Sequence, residues 1–148
     1  SELYFVAAEA AVKGASGAMS ARDLINVIRA RAGKWRWSNN GNVIKTEDNS
    51  AAMMAATPST ITIDYILQER SREYFGEGLR WHDLVRTQKW GDVAKTYSIS
   101  GTAVGAHTPQ TYTRTIPNYL YLRPIPQSQM ERLDLSGAEL AAYQNPGY

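Results

Sequence analysis

The chain has 148 residues, 43% of them hydrophobic, which is enough for one globular domain, and we expect residues 1–148 to form a single domain or fragment. Its net charge is +2 and its 16 basic residues are interleaved with 14 acidic ones, so no nucleic-acid-binding or membrane-binding basic surface is indicated. Cysteine is absent, which excludes a disulfide framework and thiolate chemistry.

The first third of the chain predicts a helical hairpin. Glu2–Lys13 is rich in alanine and predicts one helix, and Ala21–Arg31 predicts a second one. Ser20 and Asp23 form a capping-box pattern at the start of the second helix, and Gly33 is expected to end it. Such a pair is similar to a half-unit of tetratricopeptide-type repeats, and it needs neighbours because one pair cannot bury its own faces.

The middle of the chain predicts a loop followed by two more helices. Residues 34–58 are polar and predict a long irregular loop. Thr62 is placed to cap a third helix over Ile63–Phe75, and a fourth helix is expected over Leu79–Lys89. Gly78 is expected to hold the corner between these helices.

The C-terminal part predicts little regular structure. Residues 91–118 are rich in Gly, Ser and Thr, and Tyr119–Leu122 predicts a short extended segment. A weak helical turn is expected near Ser128–Leu133. The tail Asn145–Gly147 predicts a turn that contacts elsewhere must hold, because Pro and Gly cannot continue a helix. The expected fold is therefore mainly α, with tetratricopeptide-like helical hairpins and long irregular loops.

The most informative segment runs from Glu69 to Arg86, where charged and aromatic residues alternate at helical spacing. Acids and arginines lie three residues apart, which makes them neighbours on a helix surface. Glu69, Glu73 and Glu77 could be read as the paired carboxylates of a glycosidase, but a structural ion-pair network is favoured because each acid has an arginine three residues away. The residues assigned to this structural motif are Glu69, Arg70, Glu73, Glu77, Gly78, Arg80, Trp81, Asp83 and Arg86.

The two histidines carry no metal-binding pattern. His82 and His107 are isolated in the sequence, without the spacing that a zinc site needs, and a packed or hydrogen-bonded role is favoured for His82. No nucleophile motif, phosphate loop or dinucleotide fingerprint occurs. The sequence therefore predicts no catalytic residue, no metal and no cofactor.

The segment Glu69–Arg86 resembles the ERxxExxxEGxRWxDLVR signature of the SusD/RagB family, which are outer-membrane, glycan-binding lipoproteins of Bacteroidetes. Three further stretches match family patterns in the same order. Glu2–Ala10 resembles xxYLxxAEA, and Asn26–Gly33 resembles NxVRxRAG. Tyr119–Gln129 and the terminal Gln144–Tyr148 resemble the PIPQSE…QNPGY ending. Four matches in order make a specific signal.

This resemblance implies a function. A SusD/RagB-like protein captures oligosaccharides at the bacterial cell surface, without catalysis, for uptake through a SusC-like TonB-dependent transporter. The chain is then expected to be the C-terminal part of a longer surface-exposed lipoprotein of the outer membrane, attached only through a lipidated N-terminus that this chain does not contain. The alternatives are a helical protein–protein interaction module without glycan binding and an enzyme that uses the carboxylates.

Two tryptophans and two asparagines are the candidate glycan contacts. Trp35 and Trp37 alternate, so in an extended stretch both rings would point to one side, where flat rings can stack on the C–H faces of sugars. Asn39 and Asn40 follow at once and can hydrogen-bond hydroxyl groups. Packing of the tryptophans over the ends of the neighbouring helices is the more common role for such residues, and both interpretations stay open.

An aromatic and proline cluster lies near the C-terminus. Its members are Tyr119, Tyr121, Pro124, Pro126 and Tyr148. A clamp that fixes the C-terminal tail is the favoured interpretation, and a partner-facing edge is the alternative.

Overall fold

The computed structural model describes four stretches of the chain: 1–38, 44–93, 95–99 and 108–148. The chain divides into two compact units, Ser1–Arg80 and Trp81–Tyr148. The described residues are mainly helical, which confirms the predicted fold class. Whether 1–148 folds as a single domain stays a prediction.

In its described residues, 1–38 and 44–80, the first unit contains four helices and one two-stranded sheet. In chain order its elements are α1 (Glu2–Val12), α2 (Ala21–Ala32), β1 (Lys34–Ser38), β2 (Ile44–Asp48), α3 (Ser50–Ala55) and α4 (Ile63–Glu73). α1 and α2 pack against each other, α2 also packs against α3, and α1 packs against α4. The three helices predicted over this part of the chain are confirmed to within two residues at each end.

The side-chain caps predicted at the starts of α2 and α4 are present. The Ser20 hydroxyl accepts the backbone N–H of Asp23 at 3.2 Å, and the Asp23 carboxylate accepts the backbone N–H of Ser20 at 3.4 Å. The Thr62 hydroxyl accepts the backbone N–H of Tyr65 at 3.1 Å and caps α4. These bonds satisfy N–H groups that have no partner inside the helix, so they define where α2 and α4 begin.

The core of the first unit lies between α1, α2 and α4. Its buried members share an apolar side chain and come from these helices and the segment before α4: Phe5, Ala8, Leu24, Ile25, Ile28, Ile61 and Ile66. Val12, Ala21, Tyr65 and Tyr74 pack against this cluster while half-buried. Burial of these apolar groups fixes the three helices relative to one another.

The prediction of a long irregular loop over 34–58 is wrong. β1 and β2 pair antiparallel, with Trp35 opposite Glu47 and Trp37 opposite Lys45, and α3 follows directly. The sequence between the strands is rich in asparagine and glycine, a composition typical of hairpins, and the flanking segments carry the aromatic and β-branched residues that favour strands. A hairpin signal was therefore present within an overall polar composition.

Two glycines form the turn after α4. The backbone φ angles of Gly76 and Gly78 are +81° and +76°, values that side chains with a Cβ rarely adopt. A Cβ added to either glycine would meet no atom within 4 Å. The helical pattern therefore breaks at Gly78 as predicted, and the requirement for glycine there is conformational rather than steric.

We expect Gly78→Val to lower the free energy of unfolding by about 1–3 kcal/mol, because a β-branched residue is strained at positive φ. Gly78→Asn is the matched control, since asparagine tolerates this region and the space around the Cβ is open. Chemical denaturation of both variants measures the difference. Equal stabilities of the two variants would contradict the role of the dihedral angle.

The second unit contains short elements. The helix that leads into it is α5 (Arg80–Arg86), and its other elements are α6 (Trp90–Val93), β3 (Thr96–Ile99), β4 (Gln110–Thr113), a 3-10 helix (Asn118–Tyr121), α7 (Gln127–Met130) and α8 (Gly137–Tyr143). β3 and β4 pair antiparallel, with Tyr97 opposite Tyr112 and Ser98 opposite Thr111. Leu84 and Met130 are buried.

Several predictions for this part need correction. The helix expected over Leu79–Lys89 ends at Arg86, and Gln88 has a φ of +56°. Tyr119–Leu122 is not extended, because Asn118–Tyr121 forms a 3-10 turn. Parts of 91–118 form α6, β3 and β4. The helical turn expected near 128–133 is confirmed by α7, whereas α8 was not predicted, although Ser136 and Glu139 form a capping box at its start.

Candidate functional site

The acidic residue Glu69 lies at the centre of an ion-pair cluster between α2 and α4. Its carboxylate binds the guanidinium of Arg29 on α2 and accepts a 2.5 Å hydrogen bond from Arg72, three residues along α4. Glu69 is only 5% exposed. Arg29 also donates to the backbone carbonyl of Met53 on α3 at 3.0 Å. This group, here named the Arg29–Glu69 lock, joins three helices.

The electrostatics of the lock keep Glu69 ionised. Burial raises the pKa of this carboxyl, but the hydrogen bond and charge of Arg72, the charge of Arg29 and the Tyr65 hydroxyl outweigh burial and hold the pKa below its ordinary value. A general acid needs the opposite shift, toward neutral pH. Glu69 therefore has the properties of a structural carboxylate.

The other charges of α4 also reach across to neighbouring helices. Arg70 is buried, pairs with Glu2 of α1 at 2.9 Å and lies over the rings of Tyr74 and Phe5, at 5.1 and 5.5 Å from their centres. Glu73 pairs with Arg31 of α2. The sequence analysis predicted that the acids and arginines of this segment pair with each other along a single helix. That pattern holds for Glu69 and Arg72, while the contacts of Arg70 and Glu73 extend to α1 and α2.

Tyr74, beside Arg70, has a raised pKa. Burial, followed by the neighbouring Glu2 carboxylate, raises the pKa of Tyr74 to about 12. The phenol therefore stays protonated at any physiological pH, and it does not serve as a base.

Further polar contacts bind α2 to the segment after α3. Asn26 accepts a 2.6 Å hydrogen bond from the buried Thr57 hydroxyl, and Arg22 donates to the carbonyls of Thr57 and Met54 at 3.2 Å. These α2 residues show no reactive arrangement. With Arg29 and Arg31 they place one polar side of α2 against α3 and α4.

The remaining residues of the predicted structural motif lie in or next to α5. Arg80 donates to the backbone carbonyl of Leu67 at 2.8 Å, whereas Glu77 is exposed. Asp83 is buried and accepts from Arg86 at 3.2 Å. These contacts favour the structural interpretation over a glycosidase-like use of the acids.

Aromatic rings in the second unit pack edge to face. Trp81 meets Trp90 at 6.3 Å, and Trp90 meets Tyr121 at 5.9 Å between ring centres. The guanidinium of Arg123 lies 4.2 Å from the centre of the Trp81 ring, and the Tyr121 hydroxyl accepts the backbone N–H of Gly91 at 2.7 Å. Such pairs add specific geometry to apolar burial, so Trp81 and Tyr121 act as packing residues.

The histidines contribute no site within the described residues. His82 is exposed on α5, so it is not packed, while a hydrogen-bonded role for it stays a prediction, and His107 lies outside the described residues. Within 1–38, 44–93, 95–99 and 108–148, no three His, Asp or Glu side chains are grouped so that they could hold a metal ion.

Two of the four candidate glycan contacts fall on the first hairpin. Trp35 and Trp37 occupy alternate positions of β1, so the extended backbone expected for them is present. Asn39 and Asn40 lie outside the described residues. The role of all four residues in glycan binding stays a prediction.

The C-terminal tail is held by specific contacts to the segment before α7. Both ends of the Gln144 amide bond the backbone of Ile125, accepting its N–H at 2.7 Å and donating to its carbonyl at 3.1 Å. Asn145 donates to the carbonyl of Arg123 at 2.6 Å, and the Tyr148 hydroxyl donates to that of Leu122 at 2.9 Å. The tail is therefore pinned from outside, as predicted.

An aromatic contact completes this arrangement. The Tyr148 ring meets Tyr119 edge to face at 5.2 Å. Gly147 has a φ of +94°, and a Cβ there would lie 2.4 Å from the Tyr119 ring. Only glycine fits at this position. These contacts favour the clamp interpretation of the aromatic cluster.

The sequence prediction did not include the second hairpin, β3–β4. Its rings Tyr97 and Tyr112 stack at 5.5 Å with an interplanar angle of 25°, and both residues are 43% exposed. The available signal was the alternation of aromatic and hydroxyl residues in Thr96–Ile99 and Gln110–Thr113, which is typical of strands.

Comparison with known families identifies the chain. A family model described as the SusD family matches residues 1–148, the whole of the sequence. The chain belongs to the SusD family. This is in general a family of non-catalytic, glycan-binding proteins that serve nutrient uptake, and its members are typically lipoproteins associated with the outer membrane. No curated protein gives a significant match. In the described part of the chain, no helix is long and apolar enough to cross a membrane.

Proposed function

We propose that this SusD-family chain takes part in non-catalytic capture of oligosaccharides at the bacterial cell surface. The observation that carries the proposal is the match of the family model to all of residues 1–148. The four motif segments that carry the resemblance have structural partners within the chain, for example Arg29 with Glu69 and Gln144 with Ile125. The chain then supplies a helical scaffold that carries two hairpins.

The absence of catalysis is part of this proposal. Glu69 and Glu73, two of the three acids that a glycosidase reading would use, are both held by arginines. Glycoside hydrolysis needs one carboxyl group with a raised pKa, and the pKa of Glu69 is lowered. Release of reducing sugar from an oligosaccharide by the purified protein would contradict this part of the proposal.

The proposed partner is a SusC-like TonB-dependent transporter of the outer membrane, to which the captured oligosaccharide passes. We propose further that the chain is the C-terminal part of a longer surface-exposed lipoprotein. The test is calorimetric binding of the full-length protein to maltohexaose, cellohexaose, xylohexaose, mannohexaose and galactohexaose, together with co-purification of a SusC-like transporter with it. Binding to none of these oligosaccharides would overturn the proposal of glycan capture.

A helical protein–protein interaction module is the second candidate, and one observation favours it. α1 exposes two large apolar side chains, Leu3 at 83% and Val6 at 54%. Exposed apolar residues grouped on one element are typical of protein interfaces. Co-purification of the transporter without any binding to the oligosaccharide panel would favour this second function over the first.

We expect the Trp35→Ala/Trp37→Ala double variant of the full-length protein to lose affinity for its oligosaccharide by about tenfold or more, with an unchanged melting temperature, if the rings stack on sugar. If the rings instead pack on the protein, the melting temperature falls. Calorimetry and thermal unfolding separate these outcomes. Trp90→Ala is the control, because its ring packs on Trp81 and Tyr121 and its loss should lower stability. Full affinity in the double variant would remove this hairpin from the site.

We expect the 148-residue chain alone to bind the same oligosaccharides weakly or not at all. A partial site loses preorganisation and buried contact area, and binding must still offset the loss of translational freedom. Calorimetry of this chain beside the full-length protein measures the difference. Equal affinities would show that the complete site lies within these residues.

A further inference from the structure

The β3–β4 hairpin presents two faces of different chemistry. On one face, Thr96 and Thr113 hydroxyls lie 3.2 Å apart, and those of Ser98 and Thr111 lie 2.9 Å apart. The other face carries the stacked rings of Tyr97 and Tyr112, here named the tyrosine face. Successive residues of a strand point to opposite sides, so this division follows from the sequence alternation in both strands.

The tyrosine face remains open. All eight residues of the two strands are exposed, and the described residues leave each tyrosine 43% accessible. An isolated two-stranded hairpin is marginally stable in water, and cross-strand pairs supply much of its stability. The stacked tyrosines are such a cross-strand pair, and among the described residues they also remain accessible to a ligand.

The rings are held in place by contacts within and next to the hairpin, one of which covers a face of the Tyr97 ring. The Arg114 guanidinium lies 4.9 Å from the centre of the Tyr97 ring, and the Tyr112 hydroxyl donates to Gln110. Together with the ring stacking, these contacts limit the rotation of both side chains. A rigid aromatic surface costs little conformational entropy when a ligand covers it.

The dimensions of the tyrosine face indicate which kind of ligand fits it. A hairpin of four residues per strand offers a face roughly 14 Å long and about 5–10 Å wide. Specific protein–protein interfaces bury about 800 Å² on each partner, several times what this face provides. One or two sugar rings match it in length, and amphipathic tyrosine rings suit the apolar C–H faces of pyranoses.

We propose that the tyrosine face of the β3–β4 hairpin, formed by Tyr97 and Tyr112, is a saccharide-stacking site for a pyranose unit of the captured oligosaccharide. Tyr112 is the stacking ring, and Tyr97, whose ring contacts Tyr112 and Arg114, supports it from behind. The inference rests on the proposed function of glycan capture. It adds a site separate in sequence from Trp35 and Trp37, and Arg114 is a positioning residue that holds the Tyr97 ring.

The test compares three forms of the full-length protein in calorimetric titrations with the five hexasaccharides named above. The Tyr97→Ala/Tyr112→Ala variant should lose about tenfold or more in affinity for whichever hexasaccharide the wild type binds. The Tyr97→Phe/Tyr112→Phe variant retains the rings and should stay within about threefold of the wild type. Unchanged affinity in the alanine variant overturns the proposal.

A matched control lies on the opposite face of the same strands. Ser98→Ala/Thr111→Ala changes a directly opposed pair of similar exposure, and it should leave affinity unchanged. A loss equal to that of the tyrosine variant would show that the hairpin acts through its stability alone, and it would overturn the proposal.

A second measurement needs no destabilised variant. In protein labelled with 3-fluorotyrosine, the fluorine resonances of Tyr97 and Tyr112, assigned through the single Phe variants, should shift when the bound hexasaccharide is added. Resonances that stay in place during saturation overturn the site while leaving glycan capture intact. Failure of the wild type to bind any of the five sugars overturns glycan capture and, with it, this site.

Discussion

Glu69→Ala should lower the free energy of unfolding by about 3–5 kcal/mol, because it leaves the largely buried guanidinium of Arg29 without its carboxylate. For a chain of this size, such a loss corresponds to roughly 10 °C or more in melting temperature. Chemical denaturation at neutral pH measures the effect directly.

Glu73→Ala is the matched control for this variant. Glu73 lies one helical turn further along α4 and also pairs with an arginine of α2, but the side chain of Arg31 is 63% exposed. Water can solvate Arg31 after the substitution, so a loss of about 1 kcal/mol or less is expected. Equal losses in the two variants would show that burial does not decide the strength of these pairs.

The lock also predicts how stability depends on pH. The pKa of Glu69 is lower in the folded chain than its ordinary value of 4.5, so its contribution is fully present above that value. The contribution disappears as the pH falls through the folded-state pKa. In Glu69→Gln, which cannot ionise, the free energy of unfolding should decrease less between pH 5 and pH 3 than in the wild type. If the free energies of unfolding of Glu69→Gln and the wild type fell in parallel with pH, an ionised Glu69 would not be the source of the pH dependence.

Gly33→Ala should lower the free energy of unfolding by about 1–3 kcal/mol through a steric clash. The φ of Gly33 is −72°, which any residue adopts, but an added Cβ would lie 2.7 Å from the backbone N and Cα of Ser50. Backbone atoms cannot move aside as a flexible side chain can, so the start of α3 must shift. Thermal unfolding followed by circular dichroism measures this loss.

Gly17→Ala provides the comparison in the same unit. A Cβ at Gly17 would meet no atom within 4 Å, and its φ lies outside the left-handed region. Replacing this glycine reduces the freedom of the unfolded chain, so the variant should match or slightly exceed the wild type in stability. A loss in Gly17→Ala as large as that in Gly33→Ala would contradict the steric explanation.

The features predictable from the sequence were those set by neighbours along the chain. Ser20 with Asp23 and Thr62 before Ile63 mark helix starts because the capping bonds span three residues. Gly78 was recognised because a glycine between two helical patterns supplies positive φ. The family was also recognisable, because its motifs are local in sequence.

The features that escaped prediction depend on contacts between distant segments. Arg29 and Glu69 are 40 residues apart, and nothing in local spacing selects Arg29 rather than another arginine as the partner. Gly33 ends α2 as predicted, but the constraint that the sequence did not reveal at this position is the approach of Ser50. The two hairpins were missed because their segments are polar overall, and the short aromatic alternation in each was not interpreted as strand pairing.

The way in which the first hairpin is attached determines where the amino-acid sequence of this scaffold can change. The backbone N–H of Asn49 donates to the carbonyl of Gly33 at 2.8 Å, so the chain leaves and re-enters the helical unit at one point. With both ends fixed there, lengthening the connection between β1 and β2 costs only about 0.6 kcal/mol for each doubling of loop length. Insertions and substitutions in the hairpin between Gly33 and Asn49 can accumulate without moving α2 or α3. The hairpin is thus a natural place to graft new recognition sequences onto an unchanged helical frame.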